Sequence, residues 1–239
     1  RLPIHWSIPG RQRRHRDQRT AGRAVCLGSA ADHRLGEPQV LVEAQPFIPY
    51  MKEENFDPRL KPVLDPYKKR MGFLPNALKL YAYRPEIAET LWSLNSKIMR
   101  DPTSTLDQLL KRKLAAVACA TNGCAYCTAH SCAMLKNSPG NAAEGWGMSE
   151  SELQQMIVGD SDPKNEFERV CFDYVRAASE APYGVSDEIL QRLKQHLTPP
   201  QIVELACVVG FWKFYNTVHD SLHIPVEAQV LQDTGYVDL

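Results

Sequence analysis

No stretch of this 239-residue sequence approaches the run of about 18 apolar residues that a transmembrane helix requires. The formal net charge is zero, so the chain lacks the one-sided charge that would favour a nucleic acid or an anionic membrane as partner. We therefore expect no nucleic-acid binding and no membrane association. Hydrophobic residues make up 44% of the chain, which is ordinary for a globular domain with a proper core.

The sequence also lacks the cysteine pattern of a secreted, disulfide-stabilised protein. Its seven cysteines are an odd number and are spread thinly along the chain. Cys119, Cys171 and Cys207 lie in apolar helical patterns, where a free cysteine behaves as a small hydrophobe. This usage indicates a reducing compartment, and we predict a cytoplasmic protein.

Residues 1–50 lack the hydrophobic periodicity of the rest of the chain. The first 45 residues contain eight arginines, no lysine and only three acids before Glu43. Such a leader can be a transit peptide, but the Ser-rich amphipathic helix of transit peptides is missing. We favour a non-native extension before a start at Met51 and expect residues 1–50 to be disordered or loosely attached.

Helical periodicity is sustained from Asn76 onward, and no convincing strand pattern follows residue 50. Residues 52–76 are rich in proline and predict a loop with short helical turns. Caps and apolar spacing predict helices over residues 77–83, 85–100, 124–136 and 150–158. Another predicted helix is capped by Ser104 or Thr105 and has Lys111, Arg112 and Lys113 outside its apolar face. Three more are predicted to open at Asp162-Pro163, to be capped by Ser186, and to run from Thr198 through Trp212. The predicted fold class is all-α, with residues 51–239 as a single domain.

The stretch with chemical potential is Asn122-Gly-Cys-Ala-Tyr-Cys-Thr-Ala-His-Ser131. At a helix start, Cys124, Cys127 and either His130 or Ser131 fall on one face, because residues three or four apart are neighbours on a helix. Two thiols this close form a reversible disulfide, and a helix N-terminus and an imidazole both favour the thiolate. The motif therefore predicts a dithiol redox site, with His130 as a relay residue.

Other interpretations fit the spacing of the motif less well. Cys124, Cys127, His130 and Cys132 offer zinc ligands, but Cys132 lies well round the helix from the first two thiols. Haem attachment needs a histidine directly after the second cysteine, where Thr128 stands. A non-catalytic helical oligomerisation module with two structural cysteines is a further alternative. We expect no metal and no cofactor.

A weak internal repeat aligns residues 125–130 with residues 214–219 at an offset of 89. The tyrosine, threonine and histidine of the first segment recur in the second, and each segment follows an apolar helix. As a duplication, residues 60–150 would form the copy with the cysteine pair and residues 151–225 a degenerate copy.

The degenerate copy contains two possible relay residues. His219 is the counterpart of His130 in the aligned segments. Glu204 lies within an apolar helix, where an unpaired carboxylate is costly, and would supply a base across the repeat interface. Ser131 is a third possible relay residue, on the cysteine helix itself.

The sequence resembles the carboxymuconolactone decarboxylase superfamily, in its alkylhydroperoxidase D-like branch. The resemblance rests on the cysteine motif and the preceding Leu114-Ala-Ala-Val-Ala-Cys-Ala-Thr121, and more weakly on Gln201-Ile-Val-Glu-Leu-Ala and Phe214-Tyr-Asn216. It implies an all-α helical bundle that assembles into homo-oligomers. It also implies thiol peroxidase or disulfide reductase activity on a hydroperoxide or disulfide substrate, with re-reduction by a thiol–disulfide reductant protein or a small thiol.

By the same resemblance, Cys127 is the thiol that is oxidised to a sulfenic acid, and Cys124 resolves it to the disulfide. The sequence departs from the family pattern at two positions. The usual glutamate twelve positions before the first cysteine is Arg112 here, and the usual histidine seven positions after it is Ser131. The family relay therefore lacks its carboxylate. The superfamily's namesake lactone decarboxylation uses no redox cysteines and is an alternative that the cysteine pair disfavours.

Overall fold

The computed structural model describes residues 25–26, 46–136, 146–159, 163–234 and 236–237. This part of the chain is mainly helical, which confirms the all-α class. The described residues form ten α-helices: α1 (Lys61–Met71), α2 (Asn76–Tyr81), α3 (Pro85–Arg100), α4 (Gln108–Asn122), α5 (Ala125–Leu135), α6 (Glu150–Val158), α7 (Glu166–Glu180), α8 (Asp187–His196), α9 (Pro199–Ser221) and α10 (Ala228–Thr234). Among them, none combines the length and apolarity needed to cross a lipid bilayer.

One short strand pairing accompanies the helices and leaves the fold class unchanged. Strand β1 (Val25–Cys26) runs antiparallel to β2 (Tyr236–Val237). Residues 1–24 and 27–45 of the predicted N-terminal extension lie outside the described residues. Its last residues are described, and Ile48 and Tyr50 pack against the hydrophobic cluster that contains the cysteine pair.

Helix α4 lies at the centre of the bundle and packs against α5, α7 and α9. Its inward side is fully buried over Leu114, Ala116, Val117 and Ala118. Burying an aliphatic side chain of this kind stabilises a fold by roughly 1.5–3 kcal/mol, so the leucine and valine anchor the core. The cysteine helix α5 is a direct neighbour of this central helix.

A left-handed residue separates α4 from α5. Gly123 ends α4 with a φ of 77°, as the Asn122-Gly123 signal predicts. The Cys124 N–H then donates to the Cys119 carbonyl at 3.1 Å, and the Thr128 N–H donates to the Cys124 carbonyl at 3.0 Å. Cys124 is therefore the N-terminal cap of α5, and Cys127 lies in its first turn.

Helix α1 occupies part of the stretch that was predicted to be a loop. Its position is determined by burial, since Leu60, Val63 and Leu64 pack into a cluster with Leu74. This burial outweighs Pro66, which lies inside the helix and removes one backbone hydrogen bond. Proline content alone therefore gave the wrong prediction for these residues.

Two of the three basic residues at the start of α4 are buried and the third is partly buried, contrary to the prediction. Lys111 is 0% exposed, and its Nζ donates to the Ile98 carbonyl at 2.9 Å and to Ser104 Oγ at 2.7 Å. Arg112 is 6% exposed, and Lys113 forms an ion pair with Glu168 at 2.9 Å. Buried cations are tolerated when they are hydrogen-bonded, and these partners come from segments that helical spacing does not reveal.

The predicted cap of α4 is also corrected. Asp107 caps the helix by accepting the Leu110 N–H at 3.0 Å. Ser104 Oγ and the Thr105 N–H instead donate to the Glu204 carboxylate at 2.5 and 2.9 Å. Burial opposes ionisation of Glu204, but these hydrogen bonds outweigh it and lower its pKa. Glu204 therefore joins the start of α9 to the loop before α4.

Helix α9 is longer than predicted. It begins after the predicted Thr198 cap but continues past Trp212 to Ser221, which brings His219 towards α5. One side of α9 exposes Val203, Cys207 and Phe214. Cys207 is therefore not the buried hydrophobe that its apolar surroundings in the sequence predicted.

Replacing Gly123 by alanine should lower the free energy of unfolding by about 1–2 kcal/mol, because a positive φ is costly for an L-residue. Gly210→Ala within α9 is the matched control, since an added Cβ meets nothing within 4 Å at either glycine. The control should raise stability by up to about 1 kcal/mol. Urea unfolding followed by circular dichroism measures both free energies. Changes of the same sign in the two variants would contradict the left-handed backbone conformation of Gly123.

Candidate active site

Cys127 lies beside an imidazole from the end of α9. The Cys127 side chain is only 2% exposed, and its Sγ is 3.0 Å from Nδ1 of His219. Cys124 and Cys119, both fully buried, lie in the same hydrophobic cluster as Cys127. The structure thus pairs the predicted reactive thiol with the histidine of the second aligned segment.

Burial determines the resting protonation of this pair. It raises the pKa of the Cys127 thiol well above its ordinary value, and the neighbouring Cys119 and Cys124 raise it further. Burial also lowers the pKa of His219 to about 3, assisted by the electrostatic effect of His130. At neutral pH the pair is a neutral thiol beside a neutral imidazole. The low-pKa thiolate predicted from the helix N-terminus is therefore wrong for the resting site.

The second nitrogen of His219 has its own partner. Tyr81 Oη lies 3.2 Å from His219 Nε2. A neutral imidazole has one donor and one acceptor nitrogen, so when Nδ1 accepts from the Cys127 thiol, Nε2 donates to Tyr81. The Tyr215 ring stacks on the imidazole at a centroid distance of 5.3 Å and an angle of 19°. These contacts fix the ring plane of His219 and connect Cys127 to Tyr81.

His130 is bound by an acid that the sequence did not reveal. Its Nε2 lies 2.6 Å from Glu227 Oε2, and the Tyr126 hydroxyl donates to Glu227 Oε1 at 3.0 Å. The Asn76 N–H donates to the same carboxylate. Burial opposes ionisation of Glu227, but the charge and hydrogen bond of His130 outweigh it and keep its pKa below the ordinary value. His130 is therefore the partner of Glu227.

The other predicted relay residues lie in different places. Ser131 Oγ is 4.0 Å from Cys119 Sγ, a long contact with a thiol that the sequence did not select. The Glu204 carboxylate is occupied by Ser104 and Thr105 at the far end of α9. Of the three possible relay residues, His219 is the one that contacts Cys127.

Two functional residues were missed by the sequence reasoning. Glu227 follows Pro225 and Val226 in the segment before α10, where no motif or periodicity marks it. Tyr81 ends α2 and has the sequence signal of any helical aromatic residue. Both enter the site through contacts with residues more than 90 positions away in the chain.

The four side chains considered as zinc ligands are divided between two parts of the core. Cys124 and Cys127 belong to one hydrophobic cluster, whereas Cys132 belongs to the larger cluster on the other side of α5. His130 is bound to Glu227. Within the described residues, no group of three or more His, Cys, Asp or Glu side chains is arranged to hold a metal ion.

A cavity of about 110 Å³ lies against Cys127. Cys127, His130 and His219 form one part of its wall, and Arg100 and Arg112 form another. Six aromatic side chains also line it: Tyr67, Tyr81, Trp92, Tyr126, Trp212 and Tyr215. Cys124 is not part of the wall, so Cys127 is the thiol that a small molecule in the cavity would contact.

Comparison with known proteins identifies the fold through solved structures. No protein-family model and no curated protein matches the chain. The alkylhydroperoxidase AhpD core of an uncharacterized peroxidase-related protein from Ralstonia eutropha JMP134 shares 16% identity over 82% of this chain and 99% of its own, with a TM-score of 0.67. A peroxidase-related protein from Silicibacter sp. TM1040 shares 19% identity over 78% of this chain and 94% of its own, with a TM-score of 0.65.

A third similar structure has a different named activity. The debrominase Bmp8, solved in complex with 2,3,4-tribromopyrrole, shares 21% identity over 77% of this chain and 93% of its own, with a TM-score of 0.64. At these identities the likeness shows a common fold, within which named activities differ.

The low pKa of His219 makes the stability of the fold sensitive to acid. The pKa falls from 6.5 to about 3 on folding, so between these values the unfolded state binds a proton that the folded state does not. The contribution of the neutral His219 to the free energy of unfolding is therefore fully present above pH 6.5. It is lost as the pH falls towards 3, by up to about 1.4 kcal/mol per pH unit.

His219→Asn should remove this contribution and flatten the pH dependence of the unfolding free energy by about one proton. Urea unfolding at a series of pH values from 7 to 4 measures the slope. His196→Asn, at an exposed histidine on α8, is the control and should leave the slope unchanged. An equal slope in the His219 variant and the wild type would contradict a neutral buried His219.

Proposed function

We propose that this chain, which has the alkylhydroperoxidase D-like fold, is a thiol-dependent redox enzyme that cycles Cys124 and Cys127 between dithiol and disulfide. The observation that carries the proposal is the 3.0 Å contact between Cys127 Sγ and His219 Nδ1 at the wall of the aromatic cavity. A thiolate is the nucleophile in such chemistry, and a buried thiol needs an adjacent base to form it. The neutral imidazole of His219 meets that need.

In the oxidising half of the cycle, the Cys127 sulfur attacks the distal oxygen of a hydroperoxide while its proton passes to His219 Nδ1, so a free thiolate does not form in advance. The O–O bond breaks as the S–O bond forms, and Cys127 becomes a sulfenic acid. The leaving alkoxide takes the proton from His219 and departs as the alcohol. Tyr81, hydrogen-bonded to Nε2, stabilises the imidazolium that exists between these two proton transfers.

In the second step, Cys124 resolves the sulfenic acid. Its thiol, in the same buried cluster as Cys127, attacks the oxidised sulfur, which forms the disulfide and releases water. The placement of Cys124 behind the cavity wall supports this division of roles, since only Cys127 meets a molecule in the cavity. A thiol–disulfide reductant protein or a small thiol then restores the dithiol, in a reducing compartment such as the cytoplasm.

Glu227 supplies a carboxylate next to His130, in a site where Arg112 replaces the glutamate of the family pattern. We assign Glu227 and His130 a positioning role, because they hold Tyr126, and the Tyr126 ring packs edge-on against His219 at a centroid distance of 5.1 Å. The cavity size favours a small hydroperoxide over the disulfide of a folded protein as the oxidising substrate. The same fold in Bmp8 holds a compact aromatic molecule, which supports a substrate of that size.

One equivalent of cumene hydroperoxide should remove two free thiols per chain, as counted with a thiol-reactive dye after quenching. Cys127→Ser should abolish the loss, whereas Cys124→Ser should leave a sulfenic acid that dimedone traps. His219→Asn should slow the reaction by about 100-fold or more, the usual contribution of a general base. Cys207→Ser, at the exposed cysteine of α9, is the control and should react like the wild type.

No thiol loss with alkyl or aryl hydroperoxides would overturn the redox proposal. The non-catalytic oligomerisation module and the lactone decarboxylase would then be the remaining interpretations. Two lost thiols in the Cys127 variant would instead show that the reactive cysteine lies elsewhere.

The protein is further proposed to form homo-oligomers through the exposed apolar side of α9. Val203 is 62% exposed and shares this side with Cys207 and Phe214. Apolar surface of this kind is stabilised when a second copy covers it. Val203→Glu should therefore shift the mass measured by size-exclusion chromatography with light scattering to that of the monomer. Val158→Glu, at an exposed valine on α6, is the control, and an unchanged mass in both variants would sink the proposal.

A further inference from the structure

The cavity beside Cys127 has basic groups in its wall and no acidic side chain. Arg100 and Arg112 line it, and none of the described residues that form its surface is Asp or Glu. Glu227, the nearest acid described above, binds His130 and Tyr126 from behind the wall. A cavity with this distribution favours an anionic ligand, because each guanidinium attracts a negative charge in surroundings of low dielectric.

Arg100 is bound by neutral groups. Its Nη1 donates to Asn95 Oδ1 at 2.6 Å, and its guanidinium lies 5.3 Å from the centroid of the Trp92 ring. Within the part of the chain that the structure describes, no carboxylate forms an ion pair with Arg100. The Arg100 residue is half-buried.

Arg112 places a second guanidinium deeper in the same wall. It is 6% exposed and also borders a smaller cavity of about 40 Å³ next to His130. Arginine is suited to the binding of planar carboxylates, since its donors match the two carboxylate oxygens.

Trp212 adds a hydrogen-bond donor without an acceptor. Its side chain lines both cavities, and its Nε1 is buried with no hydrogen-bond partner among the described residues. Buried polar groups normally have partners, so an unpaired donor on a cavity-lining side chain is consistent with a ligand acceptor.

We propose that the cavity binds small aromatic carboxylates, and that the oxidising substrate is an aryl hydroperoxide that carries a carboxylate. The carboxylate binds Arg100 and Arg112, the ring lies among Tyr81, Trp92 and Tyr215, and the hydroperoxide reaches Cys127. Aromatic side chains in the wall favour a ring, since aromatic pairs attract each other beyond the burial of their area. The choice of hydroperoxide rests on the proposed function, whereas recognition of the carboxylate does not.

Binding is tested without redox chemistry by quenching of tryptophan fluorescence in a Cys127→Ser background. Benzoate should bind more tightly than benzyl alcohol, which has the same ring and no charge. Arg100→Gln and Arg112→Gln should each weaken the binding of benzoate by about tenfold or more and leave the affinity for benzyl alcohol unchanged. Lys97→Gln is the control, since it removes one exposed positive charge from the same helix as Arg100. Arg100→Lys and Arg112→Lys, which keep the charge, should retain part of the preference.

Equal affinity for benzoate and benzyl alcohol would overturn the proposal. An unchanged benzoate affinity in both glutamine variants, with thermal unfolding showing that each is folded, would overturn it as well.

The substrate is tested with cumene hydroperoxide and its 4-carboxylate, which share the reacting group. The carboxylate should have the higher kcat/KM, through a lower KM, and Arg100→Gln should abolish the difference. Equal kcat/KM for the two compounds would contradict the assigned substrate. Consumption of neither compound, together with arginine-dependent binding of benzoate, would reject the redox function and retain the carboxylate site.

Discussion

The Glu227 carboxylate holds together three segments that are distant in the chain. It accepts hydrogen bonds from the Asn76 backbone at the start of α2 and from Tyr126 on α5, and it pairs with His130. Hydrogen bonds to a charged group contribute roughly 1.5–3 kcal/mol each. Because Tyr126 packs against His219, the position of the imidazole over Cys127 depends on an acid that touches neither group. The surroundings of the Cys127 thiol therefore depend on residues that do not contact it.

The two aligned sequence segments lie side by side around one cavity. Tyr126 and His130 come from α5, and Tyr215 and His219 come from α9. The two histidines have different partners, since His130 binds Glu227 and His219 contacts Cys127. The segment without cysteines therefore provides the imidazole beside Cys127, and the segment with cysteines provides the thiol and the Tyr126 and His130 side chains of the wall. A site of this kind needs both halves of the bundle.

Local signals in the sequence predicted the elements of the fold well. The capping box at Ser149, the cap at Ser186 and the glycine after Asn122 mark helix ends that the structure confirms. Such signals act within a few residues, so they do not depend on packing. Glu227, Tyr81 and the burial of Arg112 were not predictable, because they depend on contacts across the bundle. The protonation of Cys127 was mispredicted for the same reason: the motif indicates a helix start but says nothing about enclosure.

The enclosure of Cys127 has different consequences for the oxidising and the reducing step of any redox cycle at this site. In the proposed cycle, an oxidant small enough to enter the cavity contacts the Cys127 sulfur at the cavity wall. A folded reductant protein would not reach the sulfur from outside, since Cys127 is 2% exposed. Reduction by such a partner would require local opening of the segments over the cavity, and the free energy of opening would add to the barrier of thiol exchange. Under that proposal, the enclosure favours a small reactant over a folded protein.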